Sequence, residues 1–198
     1  MRIGVLALQG DFKEHIDMLR ILDPITVEVR LPEDLSGLDS LIIPGGESTT
    51  IGKLLIQYRL MEPLRKFARL KPVWGTCAGM ILLAKDIGLD QPILGLMDIV
   101  VERNAFGRQI DSFSMDIQVP VLKDGLSKPF PAVFIRAPRL LKLKGNAELI
   151  AELPDGTAVA ARQNRWLVTA FHPELTRDTR FHEYFLSMTR ESKENTGL

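Results

Sequence analysis

Of the chain's 198 residues, one is cysteine and three are histidine. A single thiol excludes an internal disulfide, and no Cys/His cluster has zinc-ligand spacing, so neither staple braces the fold and no metal is expected. The scarcity of thiols fits a reducing cytoplasm. Charge of one sign is not in excess: Lys plus Arg and Asp plus Glu number 25 each. That balance lacks the basic footprint of a nucleic-acid binder, so no nucleic-acid partner is expected. No apolar run approaches the roughly 18 residues of a membrane span. The opening MRIGVLALQGDF reaches glycine and aspartate too soon for a signal h-region and reads as a first strand, so no membrane partner is expected either. Internal repeats, low-complexity tracts and linkers are also missing. With apolar residues at 45%, residues 1–198 are expected to form one domain, since a split would leave two unusually small halves.

What is present alternates. Short apolar runs at Ile3 to Leu8, Ile25 to Val29, Leu41 to Ile43 and Val73-Trp74 read as strands. Between them, Phe12, Ile16, Leu19 and Leu22 recur at three- and four-residue steps, marking an amphipathic helix. Helical patterns also cover Ile51 to Tyr58, with Ser48 and Thr49 as N-caps, then Glu62 to Leu70 and Met80 to Lys85. Beyond Pro92 the pieces are strand-like, with turns at Lys123-Asp124-Gly125 and Pro154-Asp155-Gly156, and Arg180 to Glu194 closes as a helix. The expected architecture is α/β: a mostly parallel sheet flanked by helices, with added antiparallel strands. Leu140 to Trp166 carries no motif.

The one cysteine lies in GTCAG, the G-x-nucleophile-x-G form of a nucleophile elbow with Cys77 in the serine position. Gly75 and Gly79 allow the close backbone approach that a tight strand-to-helix corner demands. The helix that follows aims its free N–H groups at the sulfur and favours thiolate. Taken alone, the segment equally fits a buried structural cysteine. A thiolate nucleophile needs a base, held by a third group. His15 and His182 sit in amphipathic helices and read as surface or core-edge residues. His172 ends the apolar run WLVTAFHPEL, and Pro173 biases it to an extended backbone, in which Glu174 projects to the same side. Acyl transfer also needs oxyanion donors. The Pro44-Gly45-Gly46-Glu47-Ser48 turn can aim N–H groups into the crevice at the strands' carboxyl ends, and the Ala78 N–H, just after the nucleophile, is a second donor. By itself that turn also fits a plain strand-to-helix connection.

Together these pieces resemble the class I glutamine amidotransferase family, whose glutaminase domains carry a Cys-His-Glu triad on a flavodoxin-like sheet. LALQGDFKEH, IIPGGESTT, GTCAGMILLAK, VERNAFGRQ, FIRAP and FHPEL run, between residues 6 and 175, in the order found in the glutaminase subunits of pyridoxal 5'-phosphate synthases. The resemblance implies hydrolysis of L-glutamine through a cysteinyl thioester, with Cys77 as nucleophile, His172 as base and acid, and Glu174 orienting the ring. It implies that Gly46, Glu47, Ser48, Arg103, Ile135 and Arg136 bind glutamine, with Gly46 in the oxyanion hole. It also implies that Gln9 falls at the contact with the synthase subunit, which would receive the ammonia in a hetero-oligomer and build the pyridoxal phosphate ring, so no cofactor is expected here. A glutaminase serving another synthase, or a stand-alone thiol hydrolase, would use the same triad.

Overall fold

The computed structural model describes residues 1–103 and 112–194. Its first part is a run of strands and helices: β1 (Arg2–Leu6), α1 (Phe12–Leu22), β2 (Ile25–Val29), β3 (Ser40–Ile43), α2 (Ser48–Gln57), α3 (Met61–Leu70), β4 (Val73–Thr76) and α4 (Ala78–Leu83). Every residue of β3 and β4 is buried, as is all of β1 after Arg2. This explains why these strands read as continuous apolar runs, since a parallel sheet is covered on both faces. Helix α1 turns Ile16, Met18 and Leu19 inward and ends at Asp23, a left-handed residue whose N–H donates to the Leu19 carbonyl.

Two local expectations are corrected. Helix α2 is capped by Glu47 rather than by Ser48 or Thr49: the Glu47 carboxylate accepts from the backbone N–H groups of Thr49 (3.0 Å) and Thr50 (2.7 Å). The helix expected from Met80 to Lys85 instead starts at Ala78 and stops at Leu83, because the returning chain takes its last carbonyls. Leu94 and Leu96 donate to the Leu82 and Leu83 carbonyls at 2.7 and 2.9 Å. Ala84–Asp86 then becomes the short strand β5.

The remaining elements are β6 (Met97–Glu102), β7 (Ser112–Ile117), β8 (Phe130–Ile135), β9 (Arg139–Leu143), β10 (Glu148–Glu152), β11 (Ala158–Gln163), β12 (Trp166–Thr169) and α5 (Arg180–Glu194). Strands β6 and β8 alternate buried positions with half-buried ones, the last outward residue of β6 being the exposed Glu102, the period-2 signature of their sequences. Strand β9 falls in the stretch that carried no motif: of its five residues only Leu140 is buried, too few to set an apolar rhythm. The main sheet runs β2-β1-β3-β4-β12-β11-β9-β6-β5, with β10 also on β11, while β7 and β8 form a separate hairpin. From β2 through β4 to β12 the pairing is parallel, and at β11 it turns antiparallel. This is the expected α/β architecture, a flavodoxin-like 2-1-3-4 order with an antiparallel extension. Trp74, Phe171, Phe181 and Phe185 are among the largest fully buried side chains. Among the described residues, no helix is long and apolar enough to cross a membrane.

Candidate active site

Strands β4 and β12 are parallel neighbours in register, Thr76 opposite Thr169. Cys77 follows Thr76 directly, and its N–H donates to the Thr169 carbonyl at 2.8 Å. The corner is sharp: Cys77 has φ 47° and ψ −101°, a conformation that costs a non-glycine residue about 1–3 kcal/mol. Gly75 and Gly79 make it possible, because a methyl on Gly75 would sit 2.5 Å from the Gly79 carbonyl. Such strain turns the sulfur outward at the start of α4, the geometry of a nucleophile elbow.

Three residues past β12, His172 is pinned by its N–H to the Val133 carbonyl of β8 at 2.8 Å. Its backbone, at φ −107° and ψ 86°, falls short of the extended conformation expected before Pro173, because Pro173–Leu175 turns directly into a 3-10 helix. That turn, not a continuing extended chain, carries Glu174 back to the ring. Nδ1 of His172 lies 2.7 Å from Glu174 Oε1 and 3.3 Å from Asp11 Oδ2. With Nδ1 so engaged, Nε2 is the ring nitrogen left free, and Cys77, whose thiol donates to the Ile135 carbonyl at 4.0 Å, lines the same cavity. Burial would lower the His172 pKa, but the hydrogen bonds with Asp11, Cys77 and Glu174 outweigh it and raise it well above the ordinary histidine range. Burial pushes Glu174 up, opposed by its bond to His172. Gly45 lets the ring approach this closely, since a Cβ there would meet His172 Cε1 at 2.4 Å.

Cys77 and His172 open onto a cavity of about 350 Å³, also lined by Gln9, Asp11, Gly46, Glu47, Ser48, Ala78, Arg103, Ile135 and Arg136. Every residue singled out from the sequence therefore faces this space except Glu174, which is buried behind His172. The Gly46-Glu47 turn is held from the side: the Glu47 N–H donates to Gln9 Oε1 at 2.8 Å. Arg103 donates to Glu47 Oε1 (3.0 Å), Thr49 Oγ1 (2.8 Å) and Gln91 Oε1 (2.7 Å). Burial raises the Glu47 pKa, but the hydrogen bonds from Thr50 and Thr49 together bring it down to about 2, so it is an anion at neutral pH. Arg136 is exposed with φ 41°, a second strained residue on the rim. Asn104 to Gln109 of the VERNAFGRQ segment lie outside the described residues.

Asp11 and Gln91 were missed by the sequence reading. Asp11 had a signal, its place in LQGD beside Gln9; Gln91 had none. His15 and His182 lie deeper than the surface or core edge expected for them. Both are fully buried, with His15 Nδ1 3.0 Å from His182 Nε2. Asp11, His172 and Glu174 are the one group of three potential metal ligands among the described residues, their ligand atoms within 4.8 Å. Both carboxylates converge on a single nitrogen, Nδ1, an arrangement that holds a proton better than an ion.

Comparison with known proteins gives this geometry a family. Residues 5–191 match the model of the SNO glutamine amidotransferase family. The chain is 58% identical over 193 residues to the pyridoxal 5'-phosphate synthase subunit PdxT of Herpetosiphon aurantiacus, covering 95% of this chain and 100% of the relative. It is 56% identical over 197 residues to the protein of the same name from Dehalococcoides mccartyi, covering 98% and 100%. A crystal structure described as a glutamine amidotransferase superposes with a TM-score of 0.89 at 47% identity, over 95% of this chain and 98% of that one. A putative GMP synthase component from Thermoplasma acidophilum, 18% identical with a TM-score of 0.71 over 100% and 98%, shares the fold. This chain is a member of the SNO glutamine amidotransferase family.

Proposed function

We propose that residues 1–198 act as one glutaminase domain that hydrolyses L-glutamine and delivers the ammonia to the synthase subunit of a pyridoxal 5'-phosphate synthase. The observation that carries this reading is a cysteine on a strained elbow that shares the wall of one cavity with a hydrogen-bonded His172–Glu174 pair. Glutamine enters with its carboxylate towards the Arg103 and Arg136 guanidinium groups and its ammonium towards Glu47, charges that suit a zwitterion. Ser48 and Ile135 border the side chain. The Cys77 sulfur, its proton taken by His172, attacks the side-chain amide carbon. The N–H groups of Gly46 and Ala78 stabilise the resulting oxyanion.

Collapse of that intermediate breaks the C–N bond as His172 protonates the departing nitrogen, releasing ammonia and leaving a glutamyl thioester. Water, deprotonated by His172, then cleaves the thioester to glutamate and regenerates Cys77. Glu174, bonded at Nδ1, keeps the imidazole in the orientation both steps require. The relatives named PdxT are subunits of a synthase, which supports a client that consumes the ammonia. Gln9 holds the Gly46–Glu47 peptide, so docking of that client against Gln9 sets the oxyanion hole.

The test is ammonia and glutamate release from L-glutamine by the purified chain, with and without a pyridoxal phosphate synthase subunit. Stimulation by the subunit, lost in Cys77→Ala, is expected. No release in either condition, with the chain folded and the synthase competent on added ammonia, overturns the reading.

A further inference from the structure

Behind the triad lies a second set of polar side chains that the mechanism above leaves unused. His15 from α1, His182 from α5 and Thr76 from β4 are all fully buried. His15 Nδ1 is 3.0 Å from His182 Nε2, and His15 Nε2 lies 3.1 Å from Thr76 Oγ1 and 3.4 Å from Glu174 Oε2. Trp74 seals the group, its ring edge-on to both imidazoles at 5.5 and 5.0 Å. Glu174 Oε2 and His182 Nδ1 make no hydrogen bond among the described residues: the 3.4 Å approach of His15 Nε2 to Glu174 Oε2 is an electrostatic contact, and the hydrogen bond of that nitrogen is with Thr76 Oγ1.

The tautomers follow from this geometry. Were His15 to carry its proton on Nδ1, it would donate to His182 Nε2, and its Nε2 lone pair would face the Glu174 carboxylate. His182 would then hold a buried N–H at Nδ1 with no acceptor. Both consequences are costly in a sealed interior. In the opposite tautomer His182 Nε2–H donates to His15 Nδ1, and His15 Nε2–H points between Thr76 Oγ1 and Glu174 Oε2. The atom left over is then a bare His182 Nδ1 lone pair, the milder loss. Burial holds both rings neutral: it lowers His182 to about 3 and, with the neighbouring histidines, drives His15 well below its ordinary value.

Building on the glutaminase reading, we propose that His15 is a positioning residue for the triad: its Nε2–H, directed between Thr76 Oγ1 and Glu174 Oε2, is the electrostatic partner of that carboxylate oxygen, while His182 fixes its tautomer. The Glu174 carboxylate is thereby held at both oxygens, Oε1 by the hydrogen bond with His172 and Oε2 by the 3.4 Å contact with His15. The groups facing it are His172, His15 and the Asp11 carboxylate, with Thr76 and His182 behind His15. Losing the His15 donor makes Glu174 easier to protonate and weakens its hold on the His172 cation. The acid limb of the glutaminase pH profile then moves up and the alkaline limb moves down.

The experiment compares His15→Leu with His15→Gln, whose side-chain amide reaches the place of Nε2. His15→Leu is expected to lower kcat about 10- to 100-fold, the usual range for lost orienting hydrogen bonds. KM should hold, since His15 does not line the cavity, and the profile should narrow. His15→Gln should restore both. A wild-type profile in His15→Leu, or equal impairment in a folded His15→Gln, overturns the proposal. Should neither variant fold, nitrogen NMR of the wild-type histidines decides: protons on Nε2 of both His15 and His182 support it, and a proton on Nδ1 of either overturns it. Failure of the wild-type chain to hydrolyse glutamine even with a competent synthase subunit present would instead refute the glutaminase reading and leave the NMR test standing.

Discussion

Replacing Gly79 with alanine would put a methyl 2.1 Å from the carbonyl oxygen of Ile43 and 3.0 Å from its carbonyl carbon. An ordinary carbon–oxygen contact needs about 3 Å or more, so α4 and the end of β3 must separate by about 1 Å, which no side-chain rotation can supply because both atoms are backbone. Overpacking of this kind costs about 1–3 kcal/mol, and a backbone clash in a fully buried sheet belongs at the upper end. For a chain of this size the melting temperature falls roughly 2–4 °C per kcal/mol, so a drop of about 6–12 °C is expected by calorimetry. The functional effect is separate. Ile43 precedes the Gly45-Gly46 turn by two residues and α4 carries Cys77 at its start, so the same shift moves the oxyanion donors away from the sulfur. A displacement near 1 Å costs about a hundredfold in rate, measurable as glutaminase kcat at a temperature where the variant is folded. Gly88→Ala is the control: its φ is +63° with nothing within 4 Å of the added methyl. It should cost about 1 kcal/mol from the backbone alone and leave kcat unchanged. A Gly79→Ala protein with the melting temperature and kcat of Gly88→Ala would refute the close-approach argument.

Other expectations follow from the same geometry. Cys77→Gly relieves the positive φ, so it should be at least as stable as Cys77→Ala in denaturant titration, whereas an alanine-to-glycine change elsewhere in an element costs about 0.5–1 kcal/mol. Glu174→Gln keeps the shape but loses the charge that holds His172, and kcat should fall about 10²- to 10⁴-fold in a steady-state assay with the fold intact. Arg103→Lys cannot reproduce the fork to Glu47, Thr49 and Gln91 and should raise the KM for glutamine more than it lowers kcat. Glu47→Ala removes a helix cap worth about 1 kcal/mol. Because the Glu47 pKa is lowered from 4.5 to about 2, its contribution is complete above 4.5 and is lost as pH falls through 2. The stability gap between wild type and Glu47→Ala, read by urea titration, should therefore close across that acid window.

The parallel half was legible because each buried strand is a run of apolar residues and each helix has an apolar stripe; the bounds expected for β2 and α5 match those found. The ends that were misjudged were decided by distant chain: the carbonyls ending α4 are taken by Leu94 and Leu96, far from any cue within Met80 to Lys85. Cys77, His172 and Glu174 stood out because the elbow and the H-P-E turn are local patterns. His15 and His182 did not, since an amphipathic helix with one inward polar residue looks the same whether that residue meets water or another histidine. Only the packing of α1 against α5 brings the pair together, across 167 positions of sequence. Gln91 lies in a connecting stretch whose composition gives no hint that it bridges Arg103 and Ser48.

The pairing of β4 with β12 explains why this fold can hold such a site. Parallel neighbours in register leave the sheet at the same edge, so the residue after Thr76 and the residues after Thr169 must emerge side by side, and these are Cys77 and His172. One more parallel strand beyond β12 would require a crossover connection with a helix packed on a face of the sheet. Here β11 instead runs antiparallel, and the wall beside His172 is the β7–β8 hairpin, which supplies the Val133 carbonyl for the His172 backbone and, at its end, Ile135 and Arg136 for the cavity. The parallel strands thus provide the nucleophile, the helix N-terminus and the glycine turn, while the antiparallel extension provides the support for the base and the far wall. The parallel part alone would hold the Cys-His pair without the Val133 support for His172 or the Ile135 and Arg136 wall of the cavity, which is the physical reason the catalytic reading needs both parts.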